Sequence, residues 1–100
     1  MKNTQISVFD ALHRVFERLA VPWYLFGAQA VALYGMPRTT LDVDVTAAIE
    51  PGKLPEALAA LALEGMMPRT DDVDEFARTT RVLPVIHVQS GVPVDIVLAG

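Results

Sequence analysis

Ile6, Phe9, Leu12, Val15, Phe16 and Leu19 recur three and four positions apart, the spacing of one apolar stripe on a helix. Asn3 or Thr4 is placed to cap that helix, and Pro22 breaks its pattern. Trp23 to Phe26 is a short apolar run suited to a buried strand. Gly27 marks a tight turn, and Ala28 to Tyr34 reads as a short second helix ended by Gly35 and Pro37. Leu41 to Val45 alternates apolar and acidic residues, the period of a strand. Pro51-Gly52 is a turn, and Pro55 suits the first turn of a helix running to about Glu64. In that helix Leu54, Leu58, Leu61 and Ala62 are expected to face inward, with Gly65 past the end. Asp71 to Glu75 reads as an acidic loop, Arg81 to Gln89 as a strand, Ser90-Gly91 as a hairpin turn, and Val92 to Leu98 as the returning strand. The order is α-β-α-β-α-β-β, an α/β or α+β domain with a mixed sheet.

A chain of 100 residues is one domain with a single modest core. With 52% hydrophobic and 20% charged residues it is expected to be globular and not disordered. No apolar run approaches the roughly 20 residues of a membrane span, and Met1 to Gln5 lacks the apolar core of a signal peptide. There are no cysteines, which excludes disulfides and thiolate metal sites; a cytoplasmic location is expected. Net charge is −4 with no run of Lys or Arg, so a nucleic-acid partner is not indicated by an extended basic face. The sequence stops directly after an apolar strand-like run, which suggests one domain over 1–100 truncated at its C-terminus.

Asp42 and Asp44 carry the strongest chemical signal. Alternate side chains of a strand share a face, with Cα atoms about 6.6 Å apart, so both carboxylates can reach one cation or a close pair of cations. Magnesium takes oxygen ligands, commonly one or two carboxylates plus substrate phosphates. Two-metal phosphoryl-transfer sites hold their ions about 4 Å apart with such acids. Asp95 lies alone between Val94 and Ile96, and a strand beside that of Asp42 would complete a triad of acids. Gly27 stands between a strand and a helix, where unpaired helix N–H groups can meet phosphate. Arg38 can pair with a phosphate or a carboxylate, and Thr40 shares the face of Asp42 and Asp44 by the period of two.

Other residues weigh less. Asp72-Val73-Asp74 is a second Asp-x-Asp, but Asp71 and Glu75 make it an acidic run without flanking strand residues, and a solvated loop offset by Arg78 and Arg81 is expected. A two-residue turn at Ser90-Gly91 pairs Ile86 with Asp95, whereas a three-residue turn pairs His87 with Asp95, so a catalytic His87 depends on register. His13 is expected on the surface, and Trp23, Tyr24 and Phe26 in the core.

Taken together, Gly27-Ala28 and Pro37-Arg38-Thr39-Thr40-Leu41-Asp42-Val43-Asp44 resemble the polymerase-beta-type nucleotidyltransferase superfamily, especially its bacterial minimal and AbiE-type toxin branch. That pattern is an apolar residue, Gly, then Gly or Ser, an Asp-x-Asp or Asp-x-Glu, and later one acid on a neighbouring strand. Arg38, Thr40 and Asp42 match the branch's Arg-x-Thr-x-Asp segment, and the resemblance extends to Val94-Asp95-Ile96-Val97. It implies a small mixed sheet flanked by helices and transfer of a nucleoside monophosphate from NTP to a hydroxyl acceptor. It also implies magnesium, two ions, held by Asp42, Asp44 and Asp95, with Asp95 also serving acceptor activation. Gly27, Ala28, Arg38 and Thr40 would meet the nucleotide. The acceptor would be a small molecule, a protein or a tRNA end. Ala28 departs from the family's Gly or Ser and offers no hydroxyl to phosphate. That departure and the short chain favour the alternative of a catalytically weak binding module, one half of a toxin–antitoxin pair with a partner protein. A domain with no ligand is a third reading.

Overall fold

The computed structural model describes residues 4–25 and 42–99. The first helix, α1 (Thr4–Leu19), buries Val8, Ala11, Leu12, Val15 and Phe16, with Phe9 and Leu19 packed at the margin. The stripe is therefore wider than the six residues read from spacing, because Val8 and Ala11 fill the flanks of the same face. The helix ends in a Schellman motif: Val21 N–H donates to Phe16 O at 3.2 Å and Ala20 N–H to Glu17 O at 3.1 Å. Ala20 occupies the left-handed position with φ of 58°, a place glycine usually takes.

The sheet contains β1 (Trp23–Leu25), β2 (Val43–Ala47), β3 (Met66–Pro68), β4 (Val82–His87) and β5 (Val92–Leu98). Its order is β1-β2-β5-β4-β3; β2 and β5 run parallel and the other neighbours antiparallel. Between β2 and β3 lie a turn of 3₁₀ helix, Pro51–Lys53, and α2 (Leu54–Leu63). Between β3 and β4 lies α3 (Val73–Thr80). Among the described residues the domain is thus a mixed α/β fold with three helices and a five-stranded mixed sheet. No described helix is long and apolar enough to cross a membrane.

The alternation of side chains puts the core on one face. Val43, Val45 and Ala47 of β2, Leu83 and Val85 of β4, and Val92, Val94, Ile96 and Leu98 of β5 are buried, joined by Leu54, Ala57, Ala60 and Leu61 of α2. Arg14 of α1 reaches Glu64 at 2.8 Å, linking the two helices at their exposed edge. Phe16 packs its ring 5.0 Å from that of Trp23.

Several expectations change. Trp23 is half-buried, but Tyr24 is exposed, so β1 is a sheet-end strand and not a buried one among the described residues. In α2, Ala57 and Ala60 point inward while Ala62 is exposed. Strand β3 was not foreseen: three residues ending in proline carry little strand signal. The expected acidic loop is largely α3. Asp74 and Glu75 fall in its first turn, where carboxylates complement the helix dipole, and Asp74 pairs with Arg78 one turn on at 2.9 Å. The hairpin turn is four residues, 88–91, with Gly91 N–H donating to His87 O at 2.8 Å and Gly91 at φ of 77°. The expected second helix at 28–34 lies outside the described residues.

Candidate active site

The four-residue turn and the parallel β2–β5 pairing decide which acids meet. Along β5, Asp95 sits between buried Val94 and Ile96, so it emerges on the face opposite the core. Asp44 does the same between Val43 and Val45 of β2. The register sets Asp44 directly beside Asp95. Neighbouring strands lie about 4.8 Å apart, so two carboxylates stand side by side on one face. Asp42, one residue before β2, is exposed.

Their charges are felt. The Asp44 carboxyl is held above its ordinary value, first by burial, then by the negative charge of Asp95, then by that of Asp42. Asp44 thus lies in the negative field of Asp95 and Asp42, a setting suited to a hard cation. Oxygen donors of this kind fit magnesium, and Asp44 and Asp95 are the two best placed to hold it. Among the described residues no group of three or more His, Asp or Glu is drawn together as a ready ligand set. At Asp95, Oδ1 accepts a hydrogen bond from the Arg69 guanidinium.

Arg69 was not singled out by the sequence. Its backbone N–H donates to Pro84 O at 2.9 Å, which extends the β3 edge by one residue, and Pro84 is the β4 partner of Asp95. One lateral row across the sheet therefore reads Asp44, Asp95, Pro84, Arg69. The guanidinium reaches over the proline ring, which offers no competing polar group. The signal that could have found it is the basic residue just past Pro68, but only once β3 is known to be a strand.

The remaining candidates divide cleanly. Gly27, Ala28, Arg38 and Thr40 lie outside the described residues. His87 is buried on the core face beside Met66 and Val92, with Nδ1 at 2.7 Å from Ser90 Oγ. The residue opposite Asp95 is Pro84, so neither Ile86 nor His87 pairs with it, and His87 stands on the other side of the sheet. A catalytic role for His87 with these acids is thereby removed. Asp72 and Asp74 belong to the start of α3, and Arg81 donates to Leu98 O at 3.3 Å.

A separate groove of about 260 Å³ is lined by Leu19, Val21, Ile49, Glu50, Lys53 and Glu56, among others. Asp42, Asp44 and Asp95 do not line it.

Compared with known proteins, the chain matches no family model, no curated protein and no solved structure.

Proposed function

We propose that this domain is a magnesium-dependent nucleotidyltransferase, moving a nucleoside monophosphate from NTP to a hydroxyl acceptor. The observation that carries the reading is the register match of Asp44 with Asp95 on adjacent parallel strands, with Asp42 close enough to raise the cost of ionising Asp44. That is the arrangement an Asp-x-Asp strand and a third acid must reach for such chemistry. The specific nucleotidyltransferase fold is part of the proposal.

In this reading Asp42, Asp44 and Asp95 would hold the ions, and Asp95 would help activate the acceptor hydroxyl. Bound magnesium supplies charge neutralisation at the triphosphate and at the leaving pyrophosphate. By the family resemblance, Gly27, Ala28, Arg38 and Thr40, which lie outside the described residues, would meet the nucleotide. The chain's contribution is positioning and preorganised charge more than covalent chemistry.

The test is calorimetric titration of magnesium or manganese with ATP and with GTP into the chain and into Asp42→Asn. Metal-dependent nucleotide binding lost in the variant is expected, with turnover toward a hydroxyl acceptor lost as well. A folded chain that binds neither, or an Asp42→Asn chain with full turnover, sinks the assignment.

The Arg69 contact on Asp95 favours a second reading, in which the acids are partly quenched and the domain acts as a binding module of a toxin–antitoxin pair. That reading expects nucleotide binding with no turnover and a stable complex with a partner protein.

A further inference from the structure

Asp95 has a charged partner of the chain's own, and this partner comes from two strands away. Arg69 and Asp95 are each about one-third to two-fifths exposed, at 33% and 40%, so the pair is reachable from solvent and able to open. The backbone of Arg69 is anchored through Pro84, so its head moves on a fixed stem. A divalent cation that bridges Asp44 and Asp95 draws on the same Asp95 carboxylate whose Oδ1 the guanidinium now occupies. The two cannot both neutralise Asp95 fully.

We propose, resting on the nucleotidyltransferase reading, that Arg69 is a positioning residue that exchanges partners. It holds Asp95 in the resting site, yields it when a divalent cation arrives, and then turns to the phosphates of the incoming triphosphate. The guanidinium suits both partners, because its planar fork pairs with carboxylate and phosphate alike. The resting contact offsets the charge of Asp95 where it faces Asp44. The exchanged contact adds a cation to a site whose other described members are acids, and a triphosphate needs one. The device also makes metal and nucleotide interdependent. Metal alone has to displace Arg69, whereas metal with triphosphate gives Arg69 a new partner.

The signature is a pair of opposite effects at one residue. In Arg69→Gln, manganese alone, followed by electron paramagnetic resonance, is expected to bind about ten-fold more tightly, the order of one charge-assisted contact no longer competing. Inorganic triphosphate in the presence of saturating manganese is expected to bind about ten-fold more weakly, for the same reason reversed. Arg69→Lys, which keeps the charge without the fork, should fall between the two on both measurements. Circular dichroism of each variant confirms that the fold is kept. If Arg69→Gln leaves both affinities unchanged, or shifts them in the same direction, the exchange is wrong while the nucleotidyltransferase reading stands. If neither the parent chain nor Arg69→Gln binds manganese, the nucleotidyltransferase reading itself fails and the exchange goes with it.

Discussion

Asp44 shows how a candidate site residue works against the fold that carries it. Burial and two neighbouring acids hold its carboxyl above the ordinary 3.8. The folded chain therefore keeps the proton to higher pH than the unfolded chain does. Between 3.8 and the raised value the folded state binds more protons, so stability falls as pH rises through that window and stays lower above it. Removing the charge should remove the cost. Asp44→Asn is expected to melt at a higher temperature than the parent at pH 7 in chelator, and to lose that advantage below pH 4, where both carry a neutral side chain. Magnesium should raise the melting temperature of the parent and leave Asp44→Asn nearly unmoved, because the cation repays a cost only the parent bears. Scanning calorimetry at two pH values, with and without magnesium, checks both halves. A parent more stable than Asp44→Asn in chelator would show that favourable interactions of the Asp44 carboxylate outweigh its repulsion.

At the scale of elements, α1 supplies a cleaner case of local cost. Its Schellman ending needs a left-handed residue, and Ala20 fills it at φ of 58°. A residue with a Cβ pays about 1 kcal/mol or more there, and glycine returns roughly 0.4–1 kcal/mol of that through the freedom it adds to the unfolded chain. Ala20→Gly should therefore stabilise the domain modestly, by up to about 1 kcal/mol, read as a higher urea midpoint with an unchanged slope. The same helix shows what was legible in the sequence. Sixteen residues with a repeating apolar stripe have one stable arrangement, and only the flanks, Val8 and Ala11, escaped the spacing rule. Strand β3 escaped because three residues hold no periodicity. Helix α3 escaped because Asp71 to Glu75 is as compatible with a solvated helix start as with a loop; charge reports water, not backbone shape. The acids divide the same way. That Asp42 and Asp44 lie close follows from their spacing in the sequence, although Asp42 falls just outside β2. That Asp95 stands beside Asp44, and that Arg69 reaches Asp95, depends on the pairing of strands distant in sequence, which no local pattern carries.

For the whole molecule, the two faces of the sheet pull stability in opposite directions with pH. Asp44 on one face favours acid. His87 on the other favours base, because burial lowers its affinity for a proton. Its ring sits beneath the β4–β5 turn, with Met66 and Val92 as strand neighbours and Ser90 Oγ on Nδ1. The charged form finds little solvent there, while in the unfolded chain it forms at the ordinary 6.5. As pH falls through 6.5 and toward the lowered folded value, the unfolded state takes up the proton first, and stability drains away over that window. The loss should centre on the far end of the sheet, where Val88 N–H donates to Gly65 O at 3.0 Å and joins the turn to the end of α2. The acid pair is carried on β2 and β5, and Asp95 is separated from that turn by Val92, Pro93 and Val94. Urea unfolding at pH 7.5 and 5.5 should show the parent losing stability at the lower pH, and His87→Gln, which has no charge to acquire, losing distinctly less. Amide exchange at pH 5.5 should quicken first at 88–92 and last at 43–47. Equal losses in parent and variant would place the acid sensitivity elsewhere than in this buried ring.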